Sequence, residues 1–187
     1  YLRGKIDRVD VFRKDGNAYL RAVDYKTGTK KFSLDDIEKK KNLQLLLYLF
    51  ALTDASFAGN AVPAAMTYLL ANSTRPSING NADTQAVLDS VKDGFARSGL
   101  ILDEDDVLYA ASHSANPRYL MTDKKDRSKI SREGFEHLNG RVKGIIKEVA
   151  ADMRSGAAQA QPSEKKDCAY CPYSMICRAA QKTKTNF

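Results

Sequence analysis

An α/β fold, a central mixed sheet flanked by helices, is predicted by three observations. The alternating segment Gly4-Lys5-Ile6-Asp7-Arg8-Val9-Asp10-Val11-Phe12 runs through the turn-like Lys14-Asp15-Gly16-Asn17 into an apolar stretch ending Ala22-Val23-Asp24-Tyr25-Lys26-Thr27-Gly28. A segment with helix-start signals and an almost wholly apolar second half comes next. The strand-like run Ala61-Val62-Pro63-Ala64-Ala65-Met66-Thr67-Tyr68-Leu69-Leu70 follows it. Strands interleaved with helical segments put a sheet at the centre and helices against it.

The first two segments predict a β-hairpin, because period-2 runs flank a turn rich in Asp, Gly and Asn. Along the first strand Asp7 shares a face with Val9 and Val11, whereas Asp10 shares the other with Ile6, Arg8 and Phe12. Along the second, Asp24 and Lys26 project together while Val23 and Tyr25 point the other way. Only one of the two acids of the first strand can therefore reach Asp24. A one-residue slip in register exchanges the faces, so pairing alone leaves both Asp7 and Asp10 open. A carboxylate can hold Mg²⁺ or Mn²⁺, and a lysine two residues on can orient an attacking water and offset charge on a phosphodiester.

Ser33-Leu34-Asp35-Asp36 has the character of a helix start, with Ser33 as N-cap and acids in the first turn, and the helix is expected to run to about Thr53. Its second half is apolar almost all round, which indicates burial on most sides. Gln44 and Tyr48 interrupt that half at i and i+4 and so share a face that must meet something polar or wet. The strand at 61–70 extends the sheet, with Pro63 near its start where the ladder tolerates it. Residues 72–83 read as a loop and 84–98 as a helix through Val87, Val91 and Phe95, capped by Gly99. A short strand is expected over 116–122, and Ser131 opens a long helix that ends near Gly156. His113 and His137, the only histidines, lack ligand spacing to any other candidate, and no G-x-x-x-x-G-K-S/T phosphate loop occurs.

All three cysteines fall in Cys168-Ala169-Tyr170-Cys171-Pro172-Tyr173-Ser174-Met175-Ile176-Cys177-Arg178. An odd number of clustered thiols points to metal ligation by zinc or an iron–sulfur cluster more than to disulfides. The net charge of +7 favours polyanionic partners. Lys30, Lys31, Lys39, Lys40 and Lys41 flank the helix of Gln44, and Lys124, Lys125, Arg127, Lys129 and Arg132 form a second basic cluster, either of which can track phosphates. No apolar run approaches the roughly 20 residues needed to cross a bilayer, so no membrane association is expected.

Gly4-x-Ile6-Asp7, Val23-Asp24-Tyr25-Lys26-Thr27-Gly28 and Gln44-x-x-x-Tyr48 together resemble the PD-(D/E)XK nucleases of the RecB-like branch. The resemblance implies that Asp7 and Asp24 are ligands of Mg²⁺ or Mn²⁺, with the Tyr25 carbonyl completing the metal shell. It implies also that Lys26 is the catalytic lysine, and that Gln44 and Tyr48 line the site. It favours Asp7 over Asp10. The C-x2-C-x5-C pattern is similar to the 4Fe–4S staple of AddB-type subunits of bacterial helicase–nucleases, which implies Cys168, Cys171 and Cys177 as cluster ligands. In that pattern a fourth cysteine lies upstream of the first nuclease motif. On this likeness residues 1–187 are a single RecB-like nuclease domain, an N-terminally truncated fragment of a longer polypeptide, with 162–187 as its Cys-rich staple segment. The cluster in such a fragment would be incomplete or absent.

The implied function is that of a cytoplasmic, metal-dependent DNA exonuclease. It would act with an AddA-like helicase–nuclease partner in double-strand-break repair and recombination. The alternatives are an inactive nuclease-like DNA-binding or docking module of such a complex, and a CRISPR-adaptation-type iron–sulfur nuclease.

Overall fold

A computed structural model of the protein describes residues 3–28, 32–55, 59–71, 83–85, 87, 98–112 and 128–177. The hairpin forms from β1 (Arg8–Lys14) and β2 (Asn17–Lys26), antiparallel, with Arg8 opposite Val23 and Lys14 opposite Asn17. Its two-residue loop places Asp15 and Gly16 at φ 49° and 75°. That left-handed pair is what a tight hairpin turn matching the strand twist demands, and Asp-Gly supplies it at low steric cost. β1 is an edge strand, whereas β2 is covered on both faces, with Ala18, Tyr19, Leu20, Ala22 and Val23 all buried.

The single helix expected from Ser33 to Thr53 is two helices, α1 (Leu34–Glu38) and α2 (Gln44–Asp54). The break has an identifiable cause. Lys40 and Asn42 adopt left-handed φ of 57° and 55°. The Lys41 N–H donates to the Asp36 carbonyl at 2.7 Å and the Lys40 N–H to the Ile37 carbonyl at 2.9 Å, the paired bonds of a Schellman cap. The Asn42 amide secures the turn by donating to Asp36 Oδ2 at 2.5 Å. Ser33 does sit at the N-cap in extended conformation, but its hydroxyl makes no capping bond. The apolar face of α2 buries Leu45, Leu46, Leu49 and Phe50 and packs on β2 and β3. Each such side chain contributes about 1.5–3 kcal/mol over exposure.

β3 (Asn60–Leu70) runs parallel to β2 after the helical crossover. The register slips between Leu20 and Arg21, since Leu20 faces Pro63 and Arg21 faces Ala65. Pro63, which has no N–H to give a ladder, thus sits beside the irregularity. β4 (Ser98–Leu102) pairs antiparallel with β3, and β5 (Lys129–Ile130) parallel with β4, giving a five-stranded mixed sheet in the order β1-β2-β3-β4-β5. Gly99, expected as a helix cap, lies inside β4 opposite Thr67. A Cβ there would stand within van der Waals exclusion of the Met66 carbonyl oxygen, so glycine is present for close backbone approach.

Helix α3 (Asp105–Ser112) packs on β4, and α4 (Arg132–Ser155) begins at Ser131, whose hydroxyl accepts from the Gly134 N–H at 3.1 Å. Phe135 of α4 meets Phe50 of α2 edge-on at 6.4 Å between ring centres. α4 ends at Gly156, φ 74°, in a second Schellman cap. The loop expected after Leu70, most of the helix expected over 84–98, the strand expected over 116–122, His113, Lys30, Lys31, Lys124, Lys125 and Arg127 lie outside the described residues. Where the first of these helices does enter, the Val87 N–H donates to the Asp83 carbonyl at 3.1 Å.

The chain divides into two compact units, Tyr1–Val142 and Lys143–Phe187. In the second, the end of α4 leads to a 3₁₀ turn at Lys165–Cys168, where Glu164 and Asp167 close a capping box. Among the described residues no helix is long and apolar enough to cross a membrane.

Candidate active site

The hairpin register builds the site. The pairing ends with Arg8 opposite Val23, so Asp7 precedes β1 at its open end while Asp24 follows Val23 on β2. The Tyr25 N–H donates to Asp7 Oδ2 at 3.1 Å and holds this exposed carboxylate beside the second strand. Asp24 is buried, 6% exposed, on a strand flanked by β1 and β3. Lys26 Nζ lies 2.5 Å from Asp24 Oδ2. The approach compensates charge without hydrogen-bond alignment, because that buried oxygen has no hydrogen-bond donor among the described residues.

Asp10 is elsewhere. It opposes Arg21 and takes 2.7 Å and 2.8 Å hydrogen bonds from Arg8 Nε and Arg21 Nε on the other face of the sheet. Burial raises its carboxyl pKa, but the two guanidinium partners outweigh burial and hold it below the ordinary value. On the same side the Arg8 guanidinium is raised, first by its hydrogen bond to the Tyr25 phenol and then by Asp10. Tyr25 is thereby tied twice, through its backbone to Asp7 and through its side chain to Arg8.

Gln44 and Tyr48 meet as their spacing requires, Gln44 Nε2 donating to Tyr48 Oη at 2.9 Å. Tyr48 also reaches the segment that carries Asp7. A Cβ built on Gly4 would stand 2.8 Å from Tyr48 Oη and 2.9 Å from Cζ, so the glycine of Gly4-x-Ile6-Asp7 is the floor against which Tyr48 rests. Two motifs some forty residues apart in sequence are thus one contact.

Sequence reasoning missed Tyr68. It opposes Asp24 in the parallel register, is 2% exposed, and its ring centre lies 5.8 Å from Lys26 Nζ. Burial, then the charges of Asp24 and Asp36, push its phenol up to about 12. The available signal was a lone tyrosine in an Ala-rich, apolar strand. Ser98, opposite Tyr68 on β4, accepts from the Phe32 N–H at 2.7 Å and fixes the entry to α1.

Two members of the second basic cluster are engaged by acids. Lys129 Nζ is 3.5 Å from Asp103, and Arg132 is forked onto Glu104, with Nη2 also donating to Tyr19 Oη at 3.0 Å. Cys168, Cys171 and Cys177 are half-buried free thiols. Among the described residues no three His, Cys, Asp or Glu side chains converge as a metal-holding group. The acidic pair is therefore two carboxylates and not a full cage. Hard oxygen donors in that number suit Mg²⁺ or Mn²⁺, which are bound through one or two carboxylates and keep several waters.

The profile of the PD-(D/E)XK nuclease superfamily matches residues 1–178. The chain belongs to this superfamily. A five-stranded mixed sheet with flanking helices is accordingly its PD-(D/E)XK fold, and Asp24-Tyr25-Lys26 is a D-x-K on its second strand. The chain is similar to the B subunits of ATP-dependent helicase/deoxyribonucleases. It is 33% identical to that of Clostridium perfringens over 100% of this chain and 18% of the relative. The Carboxydothermus hydrogenoformans protein is 33% identical over 98% of this chain and 18% of its own length. That of Caldanaerobacter subterraneus subsp. tengcongensis is 34% identical over 100% of this chain and 17% of its own length. The chain thus spans less than a fifth of these relatives.

Proposed function

We propose that this PD-(D/E)XK domain is a divalent-metal-dependent deoxyribonuclease with exonuclease action, working within a helicase–nuclease complex at DNA double-strand breaks. The observation that carries the reading is the meeting of buried Asp24 with Lys26, 2.5 Å apart on β2, beside an Asp7 carboxylate bonded to the Tyr25 N–H. Asp7, Asp24 and the Tyr25 carbonyl would hold the ion. When bound, Mg²⁺ or Mn²⁺ lowers the pKa of a coordinated water and polarises the phosphodiester. Lys26 orients the attacking water and offsets charge on the scissile phosphate. Gln44 and Tyr48, joined by their hydrogen bond and seated on Gly4, form the wall that sets where the DNA strand enters.

The similarity to helicase/deoxyribonuclease B subunits supports an AddA-like helicase–nuclease partner, DNA as substrate and a cytoplasmic site of action. The cysteine pattern supports a 4Fe–4S cluster on Cys168, Cys171 and Cys177.

The test is degradation of linear DNA by Asp24→Ala and Lys26→Ala variants in Mg²⁺. Cleavage is expected to vanish while DNA binding persists, because affinity comes mostly from distributed phosphate contacts. Undiminished cleavage by both variants overturns the assignment. A wild-type protein that binds DNA and never cuts it would instead be a docking module.

A further inference from the structure

Lys26 carries its ammonium on a flexible four-carbon stem, and its contact with Asp24 Oδ2 lacks the alignment that would fix its direction. Something else must form the wall on which that stem rests. β3 supplies it. Tyr68 faces Asp24 in the parallel register, which puts its side chain on the face shared by Asp24 and Lys26. β3 is hydrogen-bonded on both sides, to β2 and β4, and the tyrosine is 2% exposed, so its ring cannot drift. Lys26 Nζ stands 5.8 Å from the ring centre, within the range over which an aromatic face attracts a cation.

We propose that Tyr68 is a positioning residue that holds the Lys26 ammonium against its ring and so aims it between Asp24 and the reacting phosphodiester. The inference rests on the reading of Lys26 as the catalytic lysine. The ring, and not the hydroxyl, carries the role. A small displacement of a catalytic group lowers the rate of the chemical step and leaves DNA affinity, made by many phosphate contacts, untouched.

Variants at Tyr68 and Lys26 and one spectrum test it. Tyr68→Phe keeps the ring and is expected to leave kcat near wild type. Tyr68→Leu removes the ring and is expected to lower kcat roughly 10- to 100-fold at unchanged KM for DNA. In ¹H–¹³C spectra of the metal-free protein the Lys26 ε-methylene, assigned by its loss in Lys26→Arg, is expected to be shifted upfield by the ring current. The shift should persist in Tyr68→Phe and collapse in Tyr68→Leu. An unshifted Lys26 resonance in wild type overturns the proposal even where Tyr68→Leu does not fold. Equal loss of kcat in Tyr68→Phe and Tyr68→Leu overturns it too, since the hydroxyl would then be responsible. Full activity in Lys26→Ala would defeat the catalytic reading of the lysine, whereas the spectrum would still report whether the ring holds it.

Discussion

Gly4→Ala isolates the contact between the two motifs. The new methyl would stand 2.8 Å from Tyr48 Oη and 2.9 Å from Cζ, and closer still to Cε1. Ordinary contact between such atoms is about 3.5–4.0 Å, so the ring must move by roughly 1 Å or more. It can do so, being the far end of a side chain on α2, and the fold is therefore spared. The move breaks the bond from Gln44 Nε2, 2.9 Å in the native site. Loss of that exposed hydrogen bond costs about 1 kcal/mol, which lowers Tm by roughly 2–4 °C for a chain of this size. Activity should suffer far more, since a displacement of about 1 Å in a site costs up to about 10²-fold in rate. Thermal melts and DNA degradation by Gly4→Ala, Tyr48→Ala and the double variant form a cycle. If Gly4 acts through Tyr48, the alanine at position 4 becomes nearly silent once Tyr48 is gone. A full additional loss of rate in the double variant refutes the reasoning, as does wild-type activity in Gly4→Ala.

Gly99→Ala is the opposite case, since its Cβ would collide with the Met66 backbone and not with a movable side chain. It should destabilise the fold by about 3 kcal/mol, seen as a fall in the urea midpoint, and a neutral result would mean that β3 and β4 can part without cost. Glu104 is held below its ordinary 4.5, chiefly by the hydrogen bond from Arg132. A carboxyl lowered in the folded state stabilises above its unfolded pKa and loses that contribution as pH falls through the folded value. Glu104→Gln should therefore flatten the acid side of the Tm–pH curve, and an unchanged acid slope would remove the ion pair from the account. Cys171→Ser, purified without oxygen, should lower bound iron and sulfide; stoichiometric zinc with no iron in the unsubstituted protein would replace the cluster with a zinc staple.

The hairpin was legible because Asp15-Gly16 and the flanking alternation state it locally, and Gly156 marked the end of α4 for the same reason. The division between α1 and α2 was not, since Lys39, Lys40 and Lys41 are good helix formers and the only local hint was Asn42. Gly99 misled because a glycine after a polar segment reads as a cap, whereas its reason lies across the sheet at Met66. In the site, the strand period narrowed the first acid to Asp7 or Asp10, the family resemblance favoured Asp7, and the bond from the Tyr25 N–H holds the Asp7 carboxylate beside β2. Tyr68 was missed because parallel register is a property of the folded sheet, and a tyrosine in an apolar strand does not by itself say what it faces.

The buried state of Asp24 ties its fate to that of Lys26. A carboxylate left in such a place without its cation costs about 3–5 kcal/mol, a large part of the roughly 5–15 kcal/mol that holds a domain folded. Losing the lysine alone therefore carries a stability cost that losing both charges together, with a pair that packs in their place, does not. Among descendants of this chain, one that keeps Asp24 and has lost Lys26 is then expected to be rarer than one that keeps both or neither.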